Sequence, residues 1–155
     1  FLIRPEDLEE LTSIIACAVR EGTPPAILTS DTIGYYTDRE PLLRKRVDGQ
    51  GLWIGCLAGL RSIAFTYDGK VRGCSMLPPE FDAGDLHDED LGAIWADEER
   101  FAFTTRFDPA NLTGACARCR YGPLCRAGCP SVAWWVTGTV HENPYCLHRL
   151  REACE

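Results

Sequence analysis

The run CARCRYGPLCRAGC, residues 116–129, packs four thiols into fourteen positions with spacings x2, x5 and x3. Two thiolates at CxxC spacing grip one metal ion or one edge of an iron-sulfur cluster. Three more cysteines fall into pattern with this run. Cys56 is followed by twelve residues, Gly69, four residues and Cys74, and Cys146 follows Cys129 after sixteen. Written out, the pattern is C-x12-G-x4-C, a gap, C-x2-C-x5-C-x3-C, a gap, C. Cys17 and Cys154 stand outside it and are expected to be buried or incidental thiols.

Composition narrows the chemistry. Nine cysteines in 155 residues is a high and odd count. The start, FLIRPEDLEE, lacks the basic stretch and apolar core of a signal peptide. Clustered CxxC spacing therefore reads as metal ligation rather than as a disulfide framework. A net charge of −7, with arginines interleaved among acids, excludes nucleic acid as a partner. No apolar run is long enough to cross a bilayer. Phe1 is expected to lie mid-chain in a longer, cytoplasmic parent.

The elements that must position these thiols are short. Residues 5–21 predict a helix, with Pro5 in its first turn, Glu6 and Asp7 at the positive end of the dipole, and Gly22 as its stop. Leu8, Leu11, Ile15, Ala18 and Val19 recur on its apolar face. AILTS (26–30) predicts a strand, and DTIGYY follows it. This unit reads as the edge of an α/β layer with no chemistry of its own. PLLRKRVDGQG (41–51) reads as a polar connector, its RKR solvated, with a domain boundary near residues 40–50. Asp68-Gly69 between RSIAFTY and KVRGCSM predicts a hairpin with a two-residue type I′ turn. That turn pairs Tyr67 with Lys70 and Ile63 with Cys74, and sets Cys74 on a face with Ile63, Phe65 and Arg72. The acidic stretch EFDAGDLHDED (80–90) reads as a solvated loop. Residues 88–106 predict one or two helices, capped by Asp88 or Asp90, with Leu91, Ile94 and Trp95 as a buried stripe and Phe101 and Phe103 in the core. PSVAWWV and YCLHRLREACE predict two more helices. Residues 107–130 hold few apolar positions and many turn formers, so ligated metal is expected to supply their folding energy.

The seven cysteines and Gly69, with DGKVRGCSM, LGAIW and ENPYC around them, resemble the SPASM domain. This is the C-terminal auxiliary-cluster domain of radical S-adenosylmethionine enzymes, and the resemblance spans roughly residues 51–150. It implies two 4Fe-4S clusters. Cys116, Cys119, Cys125 and Cys146 would hold the second auxiliary cluster, and Cys56, Cys74 and Cys129 the first. Crossing of the last cysteine of a run to the other cluster has a parallel in two-cluster ferredoxins, where Pro also follows it, as Pro130 does here. Some relatives carry an eighth cysteine shortly after the first, but CLAGLRS supplies none, so one iron of the first cluster would lack a cysteine ligand. The resemblance also implies a parent enzyme that modifies a ribosomally made peptide or a protein side chain. Its partners would be that substrate, a small electron-donor protein and an upstream radical core domain. The C-x3-C-x2-C motif of such a core is absent here: Val132 stands where its third cysteine would follow Cys125 and Cys129. S-adenosylmethionine and a third 4Fe-4S cluster would thus belong to the core, and this chain is not expected to be catalytic alone. The fold class expected is α+β: a small β-hairpin and short helices organised around two clusters (residues 49–155), preceded by the terminal α/β element of a partial TIM-like barrel and a linker (1–48).

Two other readings use the same residues. A zinc-binding interaction module would take the thiols in Cys3His sets, with His141 or His148 beside Cys146. In the absence of metal, each histidine reads as an exposed polar residue near a helix end. A free-standing ferredoxin-like electron carrier would need no core domain.

Overall fold

The computed structural model describes residues 3–22, 24, 25, 27, 29, 33, 35–44 and 51–152. A 3-10 turn, Pro5–Asp7, leads into α1 (Leu8–Glu21), which ends at Gly22, whose N–H bonds to the Ala18 carbonyl. Glu9 and Glu10 sit in its first turn. The fully buried stripe is Leu8, Thr12 and Ala16, while Leu11, Ile15, Ala18 and Val19 flank it half-buried. Thr12 is tolerated there because its hydroxyl donates to the Leu8 carbonyl at 2.8 Å.

The expected strand at 26–30 has positions 26, 28 and 30 outside the described residues, as are 45–50 of the expected boundary. The start of the expected connector is corrected. Glu40–Arg44 form a helical turn, α2, that buries Glu40, Leu43 and Arg44. Arg44 is not solvated: its Nε donates to Glu40 Oε1 at 2.7 Å, and its Nη2 to the Ile33 carbonyl at 2.8 Å. Glu40 Oε1 also accepts the Trp53 N–H at 2.9 Å. A charge pair is retained inside only when such bonds satisfy it.

The hairpin forms, but in another register. Strands β1 (Ala64–Phe65), β2 (Lys70–Arg72) and β3 (Asp82–Asp85) make an antiparallel sheet in that order. Ala64 pairs with Arg72 and Phe65 with Val71, one position away from the expected alignment. The loop has three residues, Tyr67-Asp68-Gly69, closed by the Thr66 N–H on the Lys70 carbonyl (2.9 Å) and the Gly69 N–H on the Thr66 carbonyl (3.1 Å). Of the three, only Gly69 is left-handed, at φ 83°, the residue that a three-residue loop requires there. The Thr66 hydroxyl accepts the Lys70 N–H at 3.0 Å and so favours this loop over the tighter one. A slip of one residue exchanges faces. Carried outward, it sets Cys74 opposite Ser62, and frees Ile63 to pack beside buried Val71.

The acidic stretch is likewise no free loop. Its Asp82–Asp85 segment is β3, and its carboxylates neutralise the hairpin: Asp85 accepts from Lys70 Nζ at 2.7 Å, and Asp82 pairs with Arg72. Asp90 caps α3 (Leu91–Ala96) by accepting the Gly92 N–H at 2.8 Å. Only Ile94 of the expected stripe is buried; Leu91 is 38% and Trp95 40% exposed. Six residues are too short to bury a wide stripe: Ile94 is buried in the core of Val71, Ala83 and Phe101, while half-exposed Trp95 meets only the Phe101 ring, at 5.9 Å.

A 3-10 turn (Glu98–Phe101) and α4 (Ala102–Thr105) follow. The Thr104 hydroxyl donates to the Ala58 carbonyl and so fastens α4 to the loop bearing Cys56. Short turns at Pro109–Asn111 and Cys116–Arg118 lead to α5 (Gly122–Cys125), α6 (Pro130–Thr137) and α7 (Leu147–Glu152). The class is α+β, a small sheet with short helices. A second core, apart from the aliphatic one, joins Tyr35, Trp53 and Cys125 with half-buried Tyr36, Cys56, Tyr121 and Cys146.

Candidate metal centre

Four of the seven patterned cysteines converge. Cys116 opens a 3-10 turn and Cys119 closes it, its N–H on the Cys116 carbonyl at 3.2 Å. Cys125 ends α5, and Cys146 immediately precedes α7, its carbonyl accepting the Leu150 N–H at 3.1 Å. The Thr113 N–H on the His141 carbonyl, at 3.1 Å, holds the two stretches together. All four thiols line one cavity of about 60 Å³, walled by Tyr35, Tyr36, Asn143 and His148.

Burial in this cavity disfavours the thiolate form of three of its thiols. Burial pushes the Cys146 thiol up to about 11, and moves Cys116 up and Cys125 well up. Neighbouring thiolates add to the rise at Cys125 and Cys146. Backbone N–H groups oppose it: Asn143 toward the Cys116 sulfur, Gly128 toward Cys125, and Arg149 and His148 toward Cys146. Metal ligation requires thiolates, so a bound metal must displace protons here and stabilise the charge that burial disfavours. An orphaned atom tests the fit. Asn143 is 1% exposed and its Nδ2 has no hydrogen-bond partner. A buried amide donor without an acceptor, beside four sulfurs, suits a group rich in acceptor sulfur.

Cys56 and Cys74 lie apart from these four. Each sulfur accepts the N–H two residues on, from Ala58 and from Met76, both at 3.4 Å. Both line a cleft of about 390 Å³ with Arg44, Trp53, Ser62 and Gly73. Cys129 does not line it. It sits at the N-cap of α6, four residues after Cys125.

The crossover from Cys125 to Cys129 is unusual backbone. Arg126, Ala127 and Gly128 are all left-handed, at φ 57°, 58° and 71°. The two non-glycine residues cost roughly 1–2 kcal/mol each in this region. Aromatic side chains hold both ends: Trp53 Nε1 donates to the Cys125 carbonyl at 2.9 Å, and the Cys129 N–H donates to the Tyr35 hydroxyl at 3.0 Å. A Cβ at Gly128 would lie 2.8 Å from the Tyr35 ring, so the close approach needs glycine.

Sequence reasoning missed four wall residues. DTIGYY, read as chemically silent, supplies Tyr35 and Tyr36. Asn143 was seen only as part of ENPYC. His148, read as exposed when not a ligand, is 8% exposed and packs its ring on Tyr121 at 4.9 Å. No spacing rule marks such residues, because they reach the cavity from other segments. Cys17 is exposed on α1, its thiol donating to Glu21 at 3.3 Å, and Cys154 lies outside the described residues. Among the described residues no two cysteines are joined by a disulfide. Among the described residues no three His, Cys, Asp or Glu side chains are grouped to hold a single metal ion.

The fold is that of a small cysteine-rich α+β domain with two thiol-lined cavities. Residues 56–120 match the family model of SPASM, an iron-sulfur cluster-binding domain, and this stretch is a SPASM domain with a cluster-binding role. The match includes Cys56, Cys74, Cys116 and Cys119, and ends before Cys125. No curated protein and no solved structure matches the chain. Among the described residues no helix is long and apolar enough to cross a membrane.

Proposed function

We propose that the chain holds two 4Fe-4S clusters as the auxiliary domain of a radical S-adenosylmethionine enzyme that modifies a peptide or a protein side chain. The observation that carries this reading is the convergence of Cys116, Cys119, Cys125 and Cys146 on one buried cavity. These four would hold the second auxiliary cluster. Cys56, Cys74 and Cys129 would hold the first, leaving one iron without a cysteine ligand beside the larger cleft. Bound clusters of this kind supply one-electron exchange and, at an open iron, a Lewis-acidic position. The chain's own residues do the rest. N–H groups of Ala58 and Met76 direct hydrogen bonds to the first-site sulfurs. Tyr35 and Trp53 orient the crossover, and the apolar walls keep water from the second site. The larger cleft, with Arg44 and Ser62 on its wall, is the side from which substrate would approach. The radical core, S-adenosylmethionine with its own cluster, and the electron donor would come from upstream sequence and from a separate small protein.

Iron and acid-labile sulfide analysis of anaerobically purified chain tests this. About eight irons and eight sulfides per chain are expected from two four-iron clusters. A colourless chain with stoichiometric zinc would overturn the reading and favour Cys3His ligation. Buried His148, on the wall of the four-thiol cavity, gives that alternative its residue.

A further inference from the structure

Asn143 stands three residues before Cys146 in the segment Glu142-Asn143-Pro144-Tyr145-Cys146. Its Oδ1 accepts the Tyr145 N–H at 2.9 Å, which settles which end of the amide is oxygen. Nδ2 is left with two N–H donors and no partner, in a side chain 1% exposed that lines the four-cysteine cavity. Of the other polar side chains on that wall, the two tyrosine hydroxyls are hydrogen-bonded and Arg149 is ion-paired, whereas buried His148 Nε2 makes no hydrogen bond, only an ionic approach to Glu152. The Tyr36 hydroxyl donates to the Trp53 carbonyl at 2.6 Å, and the Tyr35 hydroxyl meets the Cys129 N–H. Arg149 faces Glu142 at 3.6 Å, and His148 Nε2 lies 3.1 Å from the Glu152 carboxylate.

We propose that the Asn143 side-chain amide donates a hydrogen bond to a sulfur of the cluster held by Cys116, Cys119, Cys125 and Cys146, and so raises its reduction potential. The inference rests on the two-cluster reading. Reduction adds negative charge that spreads onto the sulfurs. An N–H donor stabilises the reduced form more than the oxidised one, so it moves the potential upward. The effect is confined to one cluster, since Asn143 does not line the Cys56–Cys74 cleft. Asn143 is therefore a positioning and tuning residue.

The test is potentiometry followed by electron paramagnetic resonance on the anaerobic full chain. Two iron-sulfur signals in the wild type establish the two-cluster reading; their absence would sink that reading and the inference with it. Asn143→Asp keeps the acceptor for Tyr145 and removes both donors; Asn143→Leu removes donor and acceptor alike. At a pH above the carboxylate range, both variants are expected to shift one midpoint to more negative potential and leave the other in place. Unchanged midpoints in an Asn143→Asp chain of full iron content would overturn the inference. An unmutated chain carrying 15N in its asparagine side chains gives a second readout. A 15N hyperfine coupling on one cluster signal supports the contact, and its absence from both counts against it.

Discussion

The hydroxyl of Tyr35 accepts the backbone N–H of Cys129 at 3.0 Å, across 94 positions of sequence. This one bond joins the segment before the SPASM match to the cysteine that follows the left-handed crossover. Its ring meanwhile walls the four-thiol cavity, so one residue touches both proposed ligand sets.

Tyr35→Phe keeps the ring and removes the acceptor. The expected loss is about 1 kcal/mol, the net worth of one hydrogen bond, with faster amide exchange at Cys129. Tyr35→Ala removes a fully buried ring and is expected to cost about 3–5 kcal/mol. Denaturant titrations of anaerobic protein check both, and equal losses in the two variants would rule out the separate role of the hydroxyl.

Replacement of single ligands should divide the iron. Cys119→Ala is expected to remove about half of it, and Cys74→Ala the other half, because each thiol serves one cluster. Cys17→Ala, on the exposed face of α1, should remove none. Iron counts per chain decide, and full iron in Cys119→Ala would refute the ligand assignment.

Chelation of iron under reducing, anaerobic conditions should loosen residues 107–150 first. This stretch is held by short turns around thiols, whereas Val71, Ala83, Ile94 and Phe101 form an aliphatic core of their own. Hydrogen exchange with mass spectrometry should show protection lost in 107–150 and kept across β2 and α3. Equal loss in both regions would contradict metal-supported folding.

Arg151 ties α7 to the N-terminal segment, with Nε on Glu9 at 2.9 Å and Nη1 on Asp38 at 2.7 Å. The guanidinium holds both carboxyls below their ordinary values of 4.5 and 3.8. Groups depressed in the folded state add stability above their ordinary values, and that stability fades as pH falls through the folded ones. The slower exchange at α1 and α7 in wild type than in Arg151→Met is thus expected to be full at pH 7 and to shrink below about pH 4. A difference that stays constant with pH would exclude the ion pairs as its source. Comparison with the variant cancels any acid lability of the bound groups.

The corrected helix α3 makes a contrast between neighbours. Ile94→Ala is expected to cost about 2–5 kcal/mol, through the cavity it leaves in the core. Leu91→Ala, on the exposed side, should change stability by about 0.5 kcal/mol or less. Similar losses at both positions would restore the buried stripe that the periodicity suggested.

Cysteine spacing was legible in the chain because a metal or cluster constrains ligand types and local offsets directly. Capping by Asp90, the stop at Gly22 and the existence of the hairpin were legible for the same reason: each depends on residues a few positions apart. The hairpin register was not, since Asp68-Gly69 suits a two-residue loop and a three-residue loop alike, and the Thr66 side chain with the packing of Ile63 on Val71 selects between them. The burial of Arg44 was hidden because the Tyr35 and Trp53 rings that cover it are assembled only when the two segments meet.

The amino-acid string by itself determined that seven thiols stand in a cluster-binding pattern. Tertiary structure alone decided which four share a cavity, that Tyr35 and Trp53 clamp the segment between Cys125 and Cys129, and that Asn143 leaves a spare amide donor on the wall of that cavity. Ligand spacing is a local property, written in consecutive residues. Walls, clamps and orphaned donors arise from contacts between distant segments, and those are fixed only by how the whole chain packs.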